Sequence, residues 1–200
     1  MPPFHFPARR DAGRTSRCLD AVCRTYGQDD AVALTFAGFT IGMEGRDRAT
    51  ALSLFEKALS VSPSSAHTYI CGGIVLAFGG EAERAIEWAE SALRLSPFDP
   101  WRATAYMAIS LGRFHRSRYD DALAAARKCV QVSPGFSIAH MTLAAPLAKV
   151  ELIQEAKTVA AKVLELQPGF RYGRHFAGLA VPPDLAGALG DALRMAGLPE

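Results

Sequence analysis

Histidine, cysteine and charged side chains at short spacings are where chemistry would sit in this chain, and two clusters stand out. His67 and Cys71 are four residues apart, so on a helix they share a face and make half of a metal site. Two further ligands at metal-binding spacing are missing, and Cys18, Cys23 and Cys129 form no C-x-x-C pair. The second cluster is RFHRSRYDD at residues 113–121. It places His115 near Asp120 and Asp121 as an acid–base pair, and Arg113, Arg116 and Arg118 as a site for a phosphate or an acidic partner. A solvated turn between two helices explains the same residues more simply. Phosphate loops, the G-x-S-x-G nucleophile turn and H-E-x-x-H are all absent. The chain is therefore read as having no catalytic residue, no metal site and no cofactor.

Bulk properties narrow the classes further. Half of the 200 residues are hydrophobic and 21% are charged, which is the composition of a folded domain or a short repeat array. A net charge of +2 lacks the basic excess of a nucleic-acid binder. The N-terminus has no apolar secretory core, and the uncharged runs at 31–43 and 66–80 are shorter than the ~20 residues of a membrane span. These features predict a cytoplasmic protein with no membrane and no nucleic-acid partner.

The elements that position these residues announce themselves through a repeat. Pro63, Pro97, Pro134 and Pro168 each close an amphipathic stretch, and successive prolines lie 34, 37 and 34 residues apart. The stretch at residues 68–97, TYICGGIVLAFGGEAERAIEWAESALRLSP, shows the unit best. Gly73 and Ala85 fall where two helices cross closely, and Gly80 where the chain turns between them. Pro97 stops the second helix. Along that helix Ala85, Ile86, Ala89, Ala92 and Leu93 form an apolar stripe, with Glu90 and Arg94 as an i,i+4 pair outside it. Trp88 lies at the margin of the stripe, with Arg84 in reach of its ring.

The same offsets recur in the other units. The first offers Leu34, Gly38, Ile41, Ala51, Phe55 and Ala58; the third Tyr106, Tyr119, Ala122, Ala126 and Cys129; the fourth Ala144, Leu147, Ala156, Ala160 and Val163. Pro146 predicts a kink in the fourth unit, and Asp99-Pro100 predicts an N-cap and first helical position in the third. The whole predicts an all-α fold, a right-handed α-solenoid of antiparallel helix pairs. Its units are 30–64, 65–98, 99–134 and 135–168. Residues 1–12 are predicted to be a disordered leader, 13–29 a half-repeat or an N-terminal cap helix, and 169–200 C-terminal capping helices.

With period, small-residue positions and terminal prolines in place, the chain resembles the tetratricopeptide-repeat (TPR) proteins. Residues 83–149, from ERAIEWAE to APLAK, with VLELQPGFRYG at 163–173, are similar to the C-terminal TPR region of bacterial class III adenylate/guanylate cyclases. Similar tails occur on some winged-helix regulators. The resemblance implies a protein-binding scaffold without cyclase activity, or alternatively a regulatory or dimerisation segment for a domain encoded upstream.

It also implies that the first helix of each repeat lines a concave groove for a peptide, an amphipathic helix or a neighbouring domain. The lining residues are Thr35, Phe39 and Met43, then His67, Ile70, Ile74 and Phe78, then Met107, Leu111, Phe114 and His115, then Ile138, Met141 and Lys149. The Lys and Asn with which some TPR domains grip acidic peptide C-termini are absent at the matching positions. The uncharged run 31–43 predicts self-association at the N-terminal edge or a need for an upstream domain.

Overall fold

The computed structural model describes residues 30–44 and 47–200. The predicted leader, the 13–29 segment, Cys18 and Cys23 lie outside the described residues. Within them are ten helices and no strand. Eight form four antiparallel pairs: α1 (Ala31–Glu44) with α2 (Arg48–Val61), α3 (Ala66–Phe78) with α4 (Ala82–Leu95), α5 (Arg102–His115) with α6 (Tyr119–Val132), and α7 (Ser137–Lys149) with α8 (Ile153–Leu166). Two more helices follow, α9 (Tyr172–Gly178) and α10 (Pro183–Met195).

Two kinds of junction repeat down the array. Ser62, Ser96, Ser133 and Gln167 end the second helices with φ between −144° and −135° and ψ between 71° and 82°. Each donates its N–H to the carbonyl four residues back, and each precedes a proline that cannot extend the helix. The turns inside the last three pairs pass through a left-handed residue: Gly80 at φ 82°, Ser117 at 57° and Glu151 at 64°. The next amide then closes on the helix behind it: Glu81 N to Leu76 O at 3.0 Å, Arg118 N to Arg113 O at 2.9 Å and Leu152 N to Leu147 O at 3.0 Å. Of these three, Gly80 alone carries the turn in its residue type.

Small residues sit at the crossings. Ala51, Ala58, Ala85, Ala92, Ala122, Ala144 and Ala156 are fully buried. Among the described glycines the tightest is Gly72, not Gly73: a Cβ on Gly72 would lie 2.1 Å from the Trp88 ring, whereas one on Gly73 would meet its nearest neighbour, Ala89 N, at 3.4 Å.

Several local expectations need correction. Helix α5 starts at Arg102, two residues beyond Pro100, because the Asp99 carboxylate accepts from Trp101 N at 2.8 Å and its carbonyl accepts from Arg102 N at 3.1 Å. Arg84 reaches Glu81 at 2.8 Å and Glu56 at 3.6 Å instead of the Trp88 ring, which packs edge-on to Phe55 and Tyr69. Glu90 pairs with Arg113 of the next repeat at 3.2 Å, leaving Arg94 to Ser91.

Candidate functional site

The last two helices fold back onto the repeats. Helices α9 and α10 form a hairpin through Ala180, a left-handed residue at φ 47°, with Val181 N donating to Phe176 O at 3.1 Å. This is the turn used inside the repeats, but the pair does not stack on as a fifth one. Helix α10 lies mainly on α7, and the hairpin tip reaches back to the first three repeats.

Three contacts fix that tip. Arg48 Nη2, at the start of α2, donates to the carbonyls of Leu179 and Ala180, both at 2.9 Å, and to that of Phe78 at 3.3 Å. Partial burial lowers the Arg48 pKa, an effect the Glu81 charge opposes. Pro182 packs over Gly80, 3.2 Å from where a Cβ would stand. His115 Nε2 meets Asp184 Oδ2 at 3.1 Å. That hydrogen bond, followed by one from the Leu185 amide, holds the Asp184 carboxyl below its usual range.

Most of the predicted groove residues are buried in the core. Ile70, Ile74 and Leu111 are each 1% exposed, and Phe78, Met107, Phe114, Ile138 and Met141 are also buried. They belong to one core with Phe176, Leu179, Leu185, Leu189 and Leu193 of the hairpin. The four-residue spacing of those leucines marks one face of α10, as the sequence pattern indicates.

His175 of α9 sits among the rings of Phe78, Phe170 and Phe176, with centroids 5.7–5.9 Å away. Its buried Nε2 has no hydrogen-bond partner, and burial pushes its pKa down to about 4. Sequence reading passed over His175 and Arg48, because neither stands in a motif; each matters through a segment distant in sequence.

The remaining groove candidates are scattered. Thr35 is buried and its hydroxyl is 2.7 Å from that of Thr68. Phe39 and Met43 are half-buried against the core. His67 lies in an aromatic group with Phe36 and Trp101, and Phe39 also meets Trp101 edge-on. Lys149 points away to the Tyr119 ring, 6.0 Å from its centroid.

The clusters that could have carried chemistry do not assemble. His67 Nε2 and Cys71 Sγ are 3.6 Å apart, yet no group of three or more metal-binding side chains exists among the described residues. Burial, helped by Asp99, raises the Cys71 thiol to about 12; burial alone does so for Cys129, whose Sγ donates to Ala103 O. Neither can supply a thiolate nucleophile near neutral pH. His115 faces Asp184 instead of Asp120 or Asp121, and the three arginines are spent on Glu90, Glu83 and Asp121.

Comparison with protein-family models finds no match, and neither does comparison with curated proteins. Solved structures do match. A fragment of MamA from Desulfovibrio magneticus RS-1 is similar at 22% identity and TM-score 0.62, over 78% of this chain and 87% of that one. YrrB, described as a TPR protein with an unusual peptide-binding site, is similar at 19% identity and TM-score 0.56, over 88% and 91%. PilF from Pseudomonas aeruginosa is similar at 17% identity and TM-score 0.67, over 91% and 84%. Identities this low establish the fold: an all-α helical repeat of the TPR type. No helix among the described residues is long and apolar enough to cross a membrane.

Proposed function

We propose that this chain is a protein-recognition scaffold of the cytoplasm, without catalytic activity of its own, and that the face of its first helices is the recognition surface. One observation carries the reading: α10, an amphipathic helix whose Leu185, Leu189 and Leu193 are buried, already lies on α7, a first helix of the array. A surface that takes one such helix has the shape and apolarity to take another. The peptide-binding site named for YrrB is consistent with a protein ligand, and belongs to that protein. The test is selection of helical peptides on the full chain, with their footprints mapped by hydrogen exchange. Footprints on α3, α5 and α7 are expected; binders confined to α4, α6 and α8 would sink the proposal.

A second reading rests on α1, where Val32 is 62% and Phe36 46% exposed. An apolar edge of this kind favours self-association or an upstream domain, as in a control or dimerisation segment of the cyclase type. The names of the similar structures mention no cyclase. Light scattering of wild type against Val32→Lys/Phe36→Lys decides it: equal masses remove this reading.

A further inference from the structure

We infer that residues 12–25 lie as a single helix across the outer face of α1, over Phe36 and Thr40, and close the array there within the same chain. This edge lies apart from the recognition surface proposed above.

Equivalent positions in the repeats mark this face as one to be covered. Gly38, Gly73 and Ser110 hold the same place in α1, α3 and α5. A Cβ on Gly38 would meet Ala51 O at 3.0 Å, one on Gly73 would approach Ala85 O at 3.5 Å, and Ser110 Oγ donates to Ala122 O at 2.9 Å. Ala144 of α7 follows Ser110 by one 34-residue period. The residues two before these four are Phe36, Cys71, Ala108 and Thr142. The residues two after are Thr40, Val75, Gly112 and Pro146. In the last three repeats all of them are buried. In α1, Phe36 is 46% exposed and Thr40 is exposed too.

A second helix supplies the cover further down the array. Cys71 and Val75 share a cluster with Ala51 and Phe55 of α2, and a Cβ on Gly112 would stand 2.9 Å from Ile86 Cγ1 of α4. The chain ahead of α1 has the length and pattern for one more. The second helices α2, α4, α6 and α8 each span 14 residues, and five residues join α8 to α9. The same join ahead of α1 places a helix of that length at 12–25. Thr15, Leu19 and Val22 then take the places of Ala51, Phe55 and Ala58, the buried positions of α2, and Asp20 falls outside. A join of four residues, as at 62–65, would put Asp20 in the place of Phe55. A join of six, as at 96–101, would put Arg14 in the place of Ala51. Either buries an unpaired charge, which selects the join of five.

Side-chain size agrees. Between the first two repeats a large Phe55 meets a small Cys71. On α1 the sizes are exchanged, with the smaller Leu19 set against the larger Phe36, so the summed volume is kept. On so short a tether the helix has an effective concentration on the order of millimolar, which favours it over a second copy.

The test combines hydrogen exchange, light scattering and urea denaturation of the full chain. Wild type is expected to be a monomer whose amides 16–25 exchange at least about tenfold more slowly than those of a free peptide of residues 10–28. Leu19→Asp/Val22→Asp should abolish that protection and leave α3 to α8 protected, whereas Asp20→Ala should preserve it. Leu19→Ala and Phe36→Ala should each lower the urea midpoint, and together by less than the sum, since both remove one contact. The inference is overturned if amides 16–25 exchange as in the free peptide, if the aspartate pair leaves them protected, if Asp20→Ala exposes them, or if the two alanine losses add. It is equally overturned if wild type is a dimer whose mass falls in Phe36→Lys, because the occupant is then a second copy. All of these outcomes leave the recognition surface standing, since its footprints lie on α3, α5 and α7.

Discussion

Gly72 and Gly73 are adjacent in sequence and opposite in consequence. A methyl group at Gly72 enters the Trp88 ring, and that ring is itself held between Phe55 and Tyr69. Gly72→Ala is therefore expected to destabilise the protein by ~1–3 kcal/mol through overpacking. Gly73→Ala has room and gains helix propensity, so it should be neutral or stabilising by up to about 1 kcal/mol. Chemical denaturation of the two variants reads the contrast, and equal losses would contradict this packing. Ala85 is fully buried at the same crossing, so Ala85→Arg places an unpaired charge there and should cost more than ~3 kcal/mol. The sequence pattern located this crossing through its small residues. It could not say which glycine is indispensable, because that is decided by the direction in which Trp88 lies.

The hairpin α9–α10 is the element on which pH should act. His175 titrates near 4 when folded against an ordinary 6.5. The open hairpin thus binds a proton that the closed one excludes, and closure weakens as pH falls from 6.5 towards 4, by up to ~3 kcal/mol. Asp184, whose pKa is depressed, stays ionised throughout that window, so its own loss of stabilisation comes at lower pH still. Hydrogen exchange of residues 172–195 at pH 7.5 and 5 is expected to show acid-dependent opening in wild type and little in His175→Phe; equal opening in both would assign the effect to another group. Arg48→Ala leaves two hairpin carbonyls without their donor and should cost ~1–2 kcal/mol, read on the same amides. The four repeats were legible in the sequence because each proline, alanine and apolar stripe acts within its own 34-residue neighbourhood. The leucine face of α10 was legible for the same reason. Its destination was not, since Arg48 and Ala180 meet across 132 positions and no local pattern records that.

At the scale of the whole molecule, the hairpin changes what kind of object the repeat array is. A solenoid is held by contacts between neighbours, so its ends fray independently and its stability adds up along one dimension. Here the hairpin touches α2, α3, α5 and α7 together, through Arg48, Phe78, His115 and the packing of α10 on α7. Thermal unfolding followed by circular dichroism should be a single sharp transition in wild type and a broader one in Arg48→Ala/Asp184→Lys; equal widths would show that the hairpin adds no coupling between repeats. The position of this brace in the chain has a further consequence. Residues 172–195 are synthesised after all four repeats, so on the ribosome the part of α7 on which α10 lies stands uncovered until they follow, roughly one to a few seconds at about 5–20 residues per second. A nascent chain would spend that interval with that surface open to chaperones, and to any binding partner already waiting beside it.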